Sequence, residues 1–266
     1  MKKRAVFIIL LFLLLFINWN LVVFAKPVKV TFGYQDSSNY PFQTGDGTHI
    51  NWEQPGVAVE MLKLVEKKVN IDITFERYPW KRGLIELKSG RIDGLFSASY
   101  KPDRFKFGAY PVKNGQIDQY RRSYYNSYFL YTINGSPISW DGKEFFNLKY
   151  GLTAVRGFSI VDDLRKKGIF VHEFNNTTKC MKLLVQGRTD GVAALELAGD
   201  FILSENKNKF GKIIKAKLPL KTKTYYLMLS HQFIERHSEL AEAIWDAIAE
   251  VRETDKMKMI SKKYFH

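Results

Sequence analysis

Arg104 follows Ser97 and Ser99 in the stretch SASYKPDR. A guanidinium presents two parallel N–H donors that match a carboxylate, and Pro102 suits the start of a helical turn that would aim Arg104 inward. On residue type alone, however, the ordinary place of an arginine is the surface. Ser159, after VRGF, opens a helix-like segment, so its hydroxyl and the free N–H groups there suit an anion; it also reads as a plain N-cap. Other arrangements that carry chemistry are missing from the sequence: no Ser-His-Asp ordering, no Cys or His pair at metal-ligand spacing, no phosphate loop. The histidines, His49, His172, His231, His237 and His266, are dispersed and read as surface or capping residues. No metal or other cofactor is expected.

These residues need elements to position them. Gly-Arg-x-Asp-Gly occurs twice, at 90–94 and 187–191, each time between a leucine-bearing helical segment and a short apolar run. Before the first copy, PWKRGLIELKSG has Pro79 for a first turn and Gly90 just past the end. Before the second, NNTTKCMKLLVQG has Asn and Thr candidates for the N-cap and Gly187 as the stop. The following runs, DGLFSAS and DGVAAL, read as buried strands. Upstream lie VKVTFGYQ with PGVAVEMLKLVEKKV, and KYGLTAV with SIVDDLRKKG. Val57, Met61, Leu64, Val65 and Val69 recur at helical spacing. The same strand-helix grammar therefore appears twice, predicting two similar α/β lobes, with a coincidence inside one α/β sheet as the alternative. The aromatic run YRRSYYNSYFLYTI and the stretch KAKLPLKTKTYYLMLS read as two extended crossovers, and HSELAEAIWDAIAEVRE as a helix capped by Ser238 that returns to the first lobe. In open α/β sheets ligands lie beyond the carboxyl ends of the strands, so facing lobes would enclose a cleft.

Composition agrees with a folded, exported protein. The chain has 266 residues, 45% hydrophobic and 15% aromatic. MKKR followed by the apolar run Ala5 to Ile17 is too short to span a bilayer, and VVFAK places Val23 and Ala25 at −3 and −1 of a signal-peptidase site. Cleavage after Ala25 is expected, leaving a soluble periplasmic protein, with an uncleaved anchor as the alternative. The one cysteine, Cys180, permits no intrachain disulfide and reads as a small buried hydrophobe. Without Lys2, Lys3 and Arg4, 38 basic residues face 27 acidic ones, a net +11. The lysines are scattered, which reads as solvated surface; no nucleic-acid partner is expected.

The blocks YPF, YPWKRGLIELKSGRIDGLFSASYKPDRFKFGAYP, VRGFS and LLVQGRTDG, behind a signal peptide, resemble the bacterial periplasmic solute-binding proteins of the polar amino-acid type, family 3. The likeness covers nearly the whole mature chain and is strongest from Tyr78 to Pro111. It implies a two-lobed α/β fold of periplasmic-binding-protein type II, each lobe an open sheet flanked by helices, with two crossover strands as hinge. The lobes would be 27–124 with 224–266, and 125–223. It also implies that Arg104 grips the ligand's α-carboxylate while Ser97, Ser99 and backbone groups complete the shell. Asp36 matches a position that accepts a hydrogen bond from ligand amine or amide, and otherwise reads as a turn residue. Tyr40 and Phe42 match the wall beside it, and Phe158 and Ser159 the second lobe's contribution. Trp80 and Trp52 are further candidate walls, for which core packing is the competing reading.

One departure stands out. Many amino-acid binders of this type place an aspartate after the second lobe's strand to hold the α-ammonium, where this chain has Leu195, then Glu196. Either Glu196 takes the role by a small shift or the ligand lacks a standard α-amino group. The resemblance implies a monomeric binding protein, not an enzyme, that hands a small carboxylate-bearing solute to the permease of an ABC importer. The alternatives are a cleft-based dehydratase of the cyclohexadienyl type, with Asp36 or Glu196 as acid, and a sensory ligand-binding subunit.

Overall fold

Residues 26–264 are described in the structure, a computed structural model; the expected signal sequence, residues 1–25, lies outside the described residues. The first half runs β1 (Val28–Gln35), α1 (Val57–Val69), β2 (Ile71–Tyr78), α2 (Trp80–Lys88) and β3 (Gly94–Ser99), followed by a 3₁₀ turn at Pro102–Arg104. A small hairpin, β4 (Val112–Lys113) and β5 (Gln116–Ile117), leads into the long β6 (Tyr124–Ile133). A second hairpin, β7 (Ser139–Trp140) and β8 (Phe145–Phe146), precedes β9 (Leu152–Val155), α3 (Ser159–Lys166), β10 (Val171–Phe174), α4 (Thr177–Val185) and β11 (Gly191–Leu195). Then come α5 (Glu196–Glu205), α6 (Lys207–Phe210), β12 (Ile213–Leu229), α7 (His231–Arg236), α8 (Ser238–Arg252) and α9 (Asp255–Lys262).

The main sheet has the order β10-β9-β11-β6-β12-β3-β1-β2. Its outer thirds are parallel: β2 and β3 flank β1, and β10 and β11 flank β9. The extended crossovers, β6 and β12, are antiparallel to each other and stitch those thirds together, β6 through β11 and β12 through β3. The result is a two-lobed α/β fold with a curled mixed sheet. On one side, Val59, Leu62 and Val65 of α1 pack into a core with Phe32, Ile73, Ile244 and Ile248. Each such fully buried side chain contributes roughly 1.5–3 kcal/mol. Helix α8 lies against α1 in that core. On the other side, Leu152, Ala154, Ile160, Leu164 and Ala193 form the equivalent core. Cys180 is buried in a neighbouring cluster, and burial pushes its thiol up to about 12.

The repeated Gly-Arg-x-Asp-Gly has a physical reason in each part. Gly90 and Gly187 have φ of 72° and 69°, the left-handed region that ends α2 and α4. Asp93 donates its N–H to the Thr31 carbonyl and accepts the Thr31 N–H on its carboxylate at 2.9 Å. Asp190 donates likewise to the Gly151 carbonyl and accepts from the N–H groups of Lys149, Tyr150 and Gly151 at 2.6, 2.6 and 2.8 Å. Asp93 clips the start of β3 to the middle of β1, and Asp190 clips the start of β11 to the start of β9. A Cβ on Gly94 would stand 2.8 Å from the Phe32 ring, and one on Gly191 2.7 Å from Leu130, so both closing glycines are required by packing.

Helix starts differ in detail from the sequence expectation. His237 occupies the cap position of α8 and Phe158 that of α3, making Ser238 and Ser159 the first helical residues; Pro79 is the cap residue of α2. The Asn176 side chain caps α4, accepting the Lys179 N–H at 2.9 Å. Trp52 is 57% exposed and meets Phe75 in a T-shaped pair, so core packing does not describe it, and it does not line the cavity between the lobes.

Candidate ligand cavity

Strand β3 is buried along its whole length and delivers Ser97 and Ser99 to the sheet's carboxyl edge. Ser97 has φ of 57°, beside a register shift in β12 between Tyr226 and Met228. A non-glycine residue there costs on the order of 1–2 kcal/mol, strain of the kind that concentrates at functional sites. The 3₁₀ turn then brings Arg104 back toward β3, where it is 5% exposed. Its Nη1 donates to the Ser99 carbonyl at 2.8 Å and to Ser99 Oγ at 2.9 Å. Its Nη2 donates across to the Gly157 carbonyl at 3.2 Å, and the guanidinium lies 5.1 Å from the Trp80 ring.

Ser99 Oγ donates to Ser159 Oγ at 2.9 Å, so the two faces meet directly. Gly157 makes that approach possible: its φ is 75°, and a Cβ would stand 2.7 Å from Lys81 Cγ. Between the faces is a space of about 20 Å³. Trp80, Ser97, Ser99 and Arg104 line it from one side and Phe158 and Ser159 from the other. Five residues that sequence reasoning missed complete the wall, Gln35, Asn39, Gln43, Tyr128 and Tyr225, together with Leu195, which the sequence had marked only as a departure. Gln35 and Leu195 end β1 and β11, where the rule for open α/β sheets would have found them. The two tyrosines come from the crossover strands; burial raises the pKa of both, which keeps the phenols neutral. Asn39 Oδ1, Gln43 Oε1 and Trp80 Nε1 are buried without a hydrogen-bond partner.

Three candidate residues stand outside this space. Asp36 donates its N–H to the Tyr78 carbonyl, and burial raises the pKa of its carboxyl against the opposing pull of its own backbone N–H and Arg77. Tyr40 stacks on Phe201 with ring centroids 4.0 Å apart and donates its hydroxyl to the Tyr264 carbonyl at 2.8 Å. It lines a groove of about 670 Å³ that also borders the start of α4. Glu196 accepts from Lys215 at 2.7 Å, and the same ammonium holds Asp200 at 2.5 Å.

A groove of about 450 Å³ shares Arg104 and Phe158 with the cavity. Ion pairs cross it: Lys101 with Asp162, and Lys81 with Glu173 at 3.6 Å. Glu173 also accepts the Gly157 N–H at 2.8 Å. Burial pushes the Asp162 and Glu173 carboxyls up, but the Lys101 ammonium at Asp162, and the Gly157 N–H, Lys81 and Arg165 at Glu173, hold both below the usual range. Among the described residues no group of three His, Cys, Asp or Glu is placed to hold a metal, and no helix is long and apolar enough to cross a membrane.

The sequence model of the bacterial extracellular solute-binding proteins, family 3, matches residues 30–266. No curated protein sequence matches the chain. Among solved structures it is similar to a histidine kinase sensor domain with similarity to periplasmic binding proteins, at 16% identity and a TM-score of 0.71, covering 90% of this chain and 97% of that one. It is similar to the arginine-, lysine-, histidine-binding protein ArtJ from Geobacillus stearothermophilus at 19% identity and 0.70, covering 89% and 95%. A substrate-binding protein of an ABC uptake transporter from Streptococcus pneumoniae with bound histidine matches at 19% and 0.69, covering 89% and 92%.

Proposed function

The chain belongs to the bacterial extracellular solute-binding proteins, family 3, and from that premise we propose that it captures a small polar, carboxylate-bearing solute in the interlobe cavity. The observation that carries this reading is the buried Arg104 guanidinium in a space whose walls hold polar atoms without partners. An unsatisfied buried polar group costs about 1–3 kcal/mol, which a ligand of matching chemistry recovers. In this reading Arg104 takes the carboxylate, Ser97, Ser99 and Ser159 supply hydroxyls, and Trp80 and Phe158 are the walls. Asp36, Tyr40 and Glu196 are left out of the ligand shell, since they do not line the space.

Ligand pockets usually measure about 300–1,000 Å³, so a space of about 20 Å³ must open to admit a solute. The bodies that part are 27–124 with 224–266, and 125–223, bending at β6 and β12 and closing again on the solute. The protein would act as a monomer in the periplasm, after cleavage behind Ala25, and deliver its solute to an ABC permease without transforming it. The likeness to a histidine kinase sensor domain favours a second reading, in which the closed form signals to a receptor.

Native mass spectrometry of the purified protein tests the proposal. A retained small acid, lost in Arg104→Ala and unchanged in mass after incubation, is the expected result; a converted product would make the protein an enzyme. Co-purification with a permease or with a receptor kinase separates transport from sensing.

A further inference from the structure

We propose that the solute is a small 2-hydroxy carboxylate, an anion without an α-ammonium group. The inference rests on the binding reading above and narrows it to a substrate class. Arg104 is the one charged side chain among the described residues lining the cavity. A carboxylate that pairs with it brings the site to neutrality. A zwitterionic amino acid would add an ammonium to a closed, poorly hydrated space that holds no anion for it, and burying an unpaired charge is costly.

Of the nearby carboxylates, Asp36 does not line the space and three others are committed elsewhere. Glu196 pairs with Lys215, Asp162 with Lys101, and Glu173 with Lys81 and Arg165. At the end of β11 the wall is Leu195, only 3% exposed. The cavity-lining atoms without partners are neutral: two amide oxygens, on Asn39 and Gln43, one indole N–H, on Trp80, and the Ser97 hydroxyl. A hydroxyl donates to the first kind and accepts from the second, which an ammonium, with donors only, cannot do.

Calorimetry at neutral pH on matched pairs tests this: lactate against alanine, 3-phenyllactate against phenylalanine, 2-hydroxyisocaproate against leucine. For whichever side chain the cavity admits, the hydroxy acid should bind at least ~10-fold tighter than its amino partner, since a charged group gains far less from neutral acceptors than it loses in hydration. Leu195→Asp, or the nearly isosteric Gln43→Glu should the first fail to fold, supplies the missing anion and should shift the preference toward the amino acid. Equal or tighter binding of the amino partner by the wild type overturns the inference alone. Binding of neither member of any pair counts against both the inference and the carboxylate-binding reading beneath it.

Discussion

Replacing Arg104 separates a residue that serves a ligand from one that serves the fold, because its present partners are mostly insured. In Arg104→Ala the Ser99 carbonyl keeps the Tyr110 hydroxyl at 2.8 Å, and Ser99 Oγ keeps Ser159. Besides its two contacts to Ser99, whose oxygens stay hydrogen-bonded, the ligand-free protein loses the long contact to Gly157 and the cation–π contact with Trp80, a net of about 1–2 kcal/mol. For a chain of this size that is roughly 2–8 °C in Tm. A bound carboxylate has no such substitute, and losing a buried, charge-assisted pair costs about 2–5 kcal/mol, or roughly 30-fold to several thousand-fold in affinity. Arg104→Lys should recover part of this, since an ammonium keeps the charge but not the fork. Titration calorimetry with the acid found by mass spectrometry, beside ligand-free melting curves, gives both numbers. Affinity within about threefold of wild type in Arg104→Ala, with a melting loss well beyond that range, would make Arg104 a structural residue and remove the basis of the site.

Ser97→Gly should leave the ligand-free stability unchanged or raise it by up to about 1 kcal/mol, because glycine accepts the φ of 57° without strain; weaker ligand binding in the same variant would show that the strained serine serves the cavity. Asp190→Ala should destabilise by about 1–3 kcal/mol, chiefly through the buried Gly151 N–H, and by more than Asp93→Ala, whose carboxylate accepts one backbone N–H rather than three; thermal melts in the reverse order would refute the clip argument. The ion pairs across the groove make closure pH-dependent. Asp162 and Glu173 have lowered pKa values when closed, so their contribution is present above the ordinary values of 3.8 and 4.5 and is lost as pH falls through the lower ones. Small-angle scattering of the ligand-bound protein should show expansion in that acidic window in wild type and less of it in Lys101→Ala, and a window near neutral pH would point to other groups.

The elements were legible because their signals are local. Apolar spacing fixed α1, the glycines at 90 and 187 stopped α2 and α4, and the doubled motif announced two related halves. The cap positions of α3 and α8 were off by one residue, since a serine at N1 and a serine at the cap look alike in sequence when the preceding residue supplies no competing side chain. Arg104, Ser99, Ser159, Phe158 and Trp80 were named from sequence and do gather at one place. Half of the cavity wall was not, because the residues that form it lie at strand ends, in the loop after β1 and on crossover strands, where position in the fold rather than residue type brings them together. Tyr128 and Tyr225 are 97 residues apart and meet only because β6 and β12 are neighbours.

The expected carboxylates that stand outside the closed space share one cause. Asp36 and Glu196 were named from the positions they match or adjoin in the resemblance, but a carboxylate's partner is decided by what the fold puts beside it. Lys215 comes from the far end of β12 and takes up Glu196, leaving Leu195 as the residue that faces the cavity. Identity at a single position therefore says little about specificity here; the sum of charges around the closed space says more. That sum is one guanidinium, and its complement is a ligand with one negative charge and neutral polar groups, which Leu195→Asp would change more than the loss of either half-buried carboxylate.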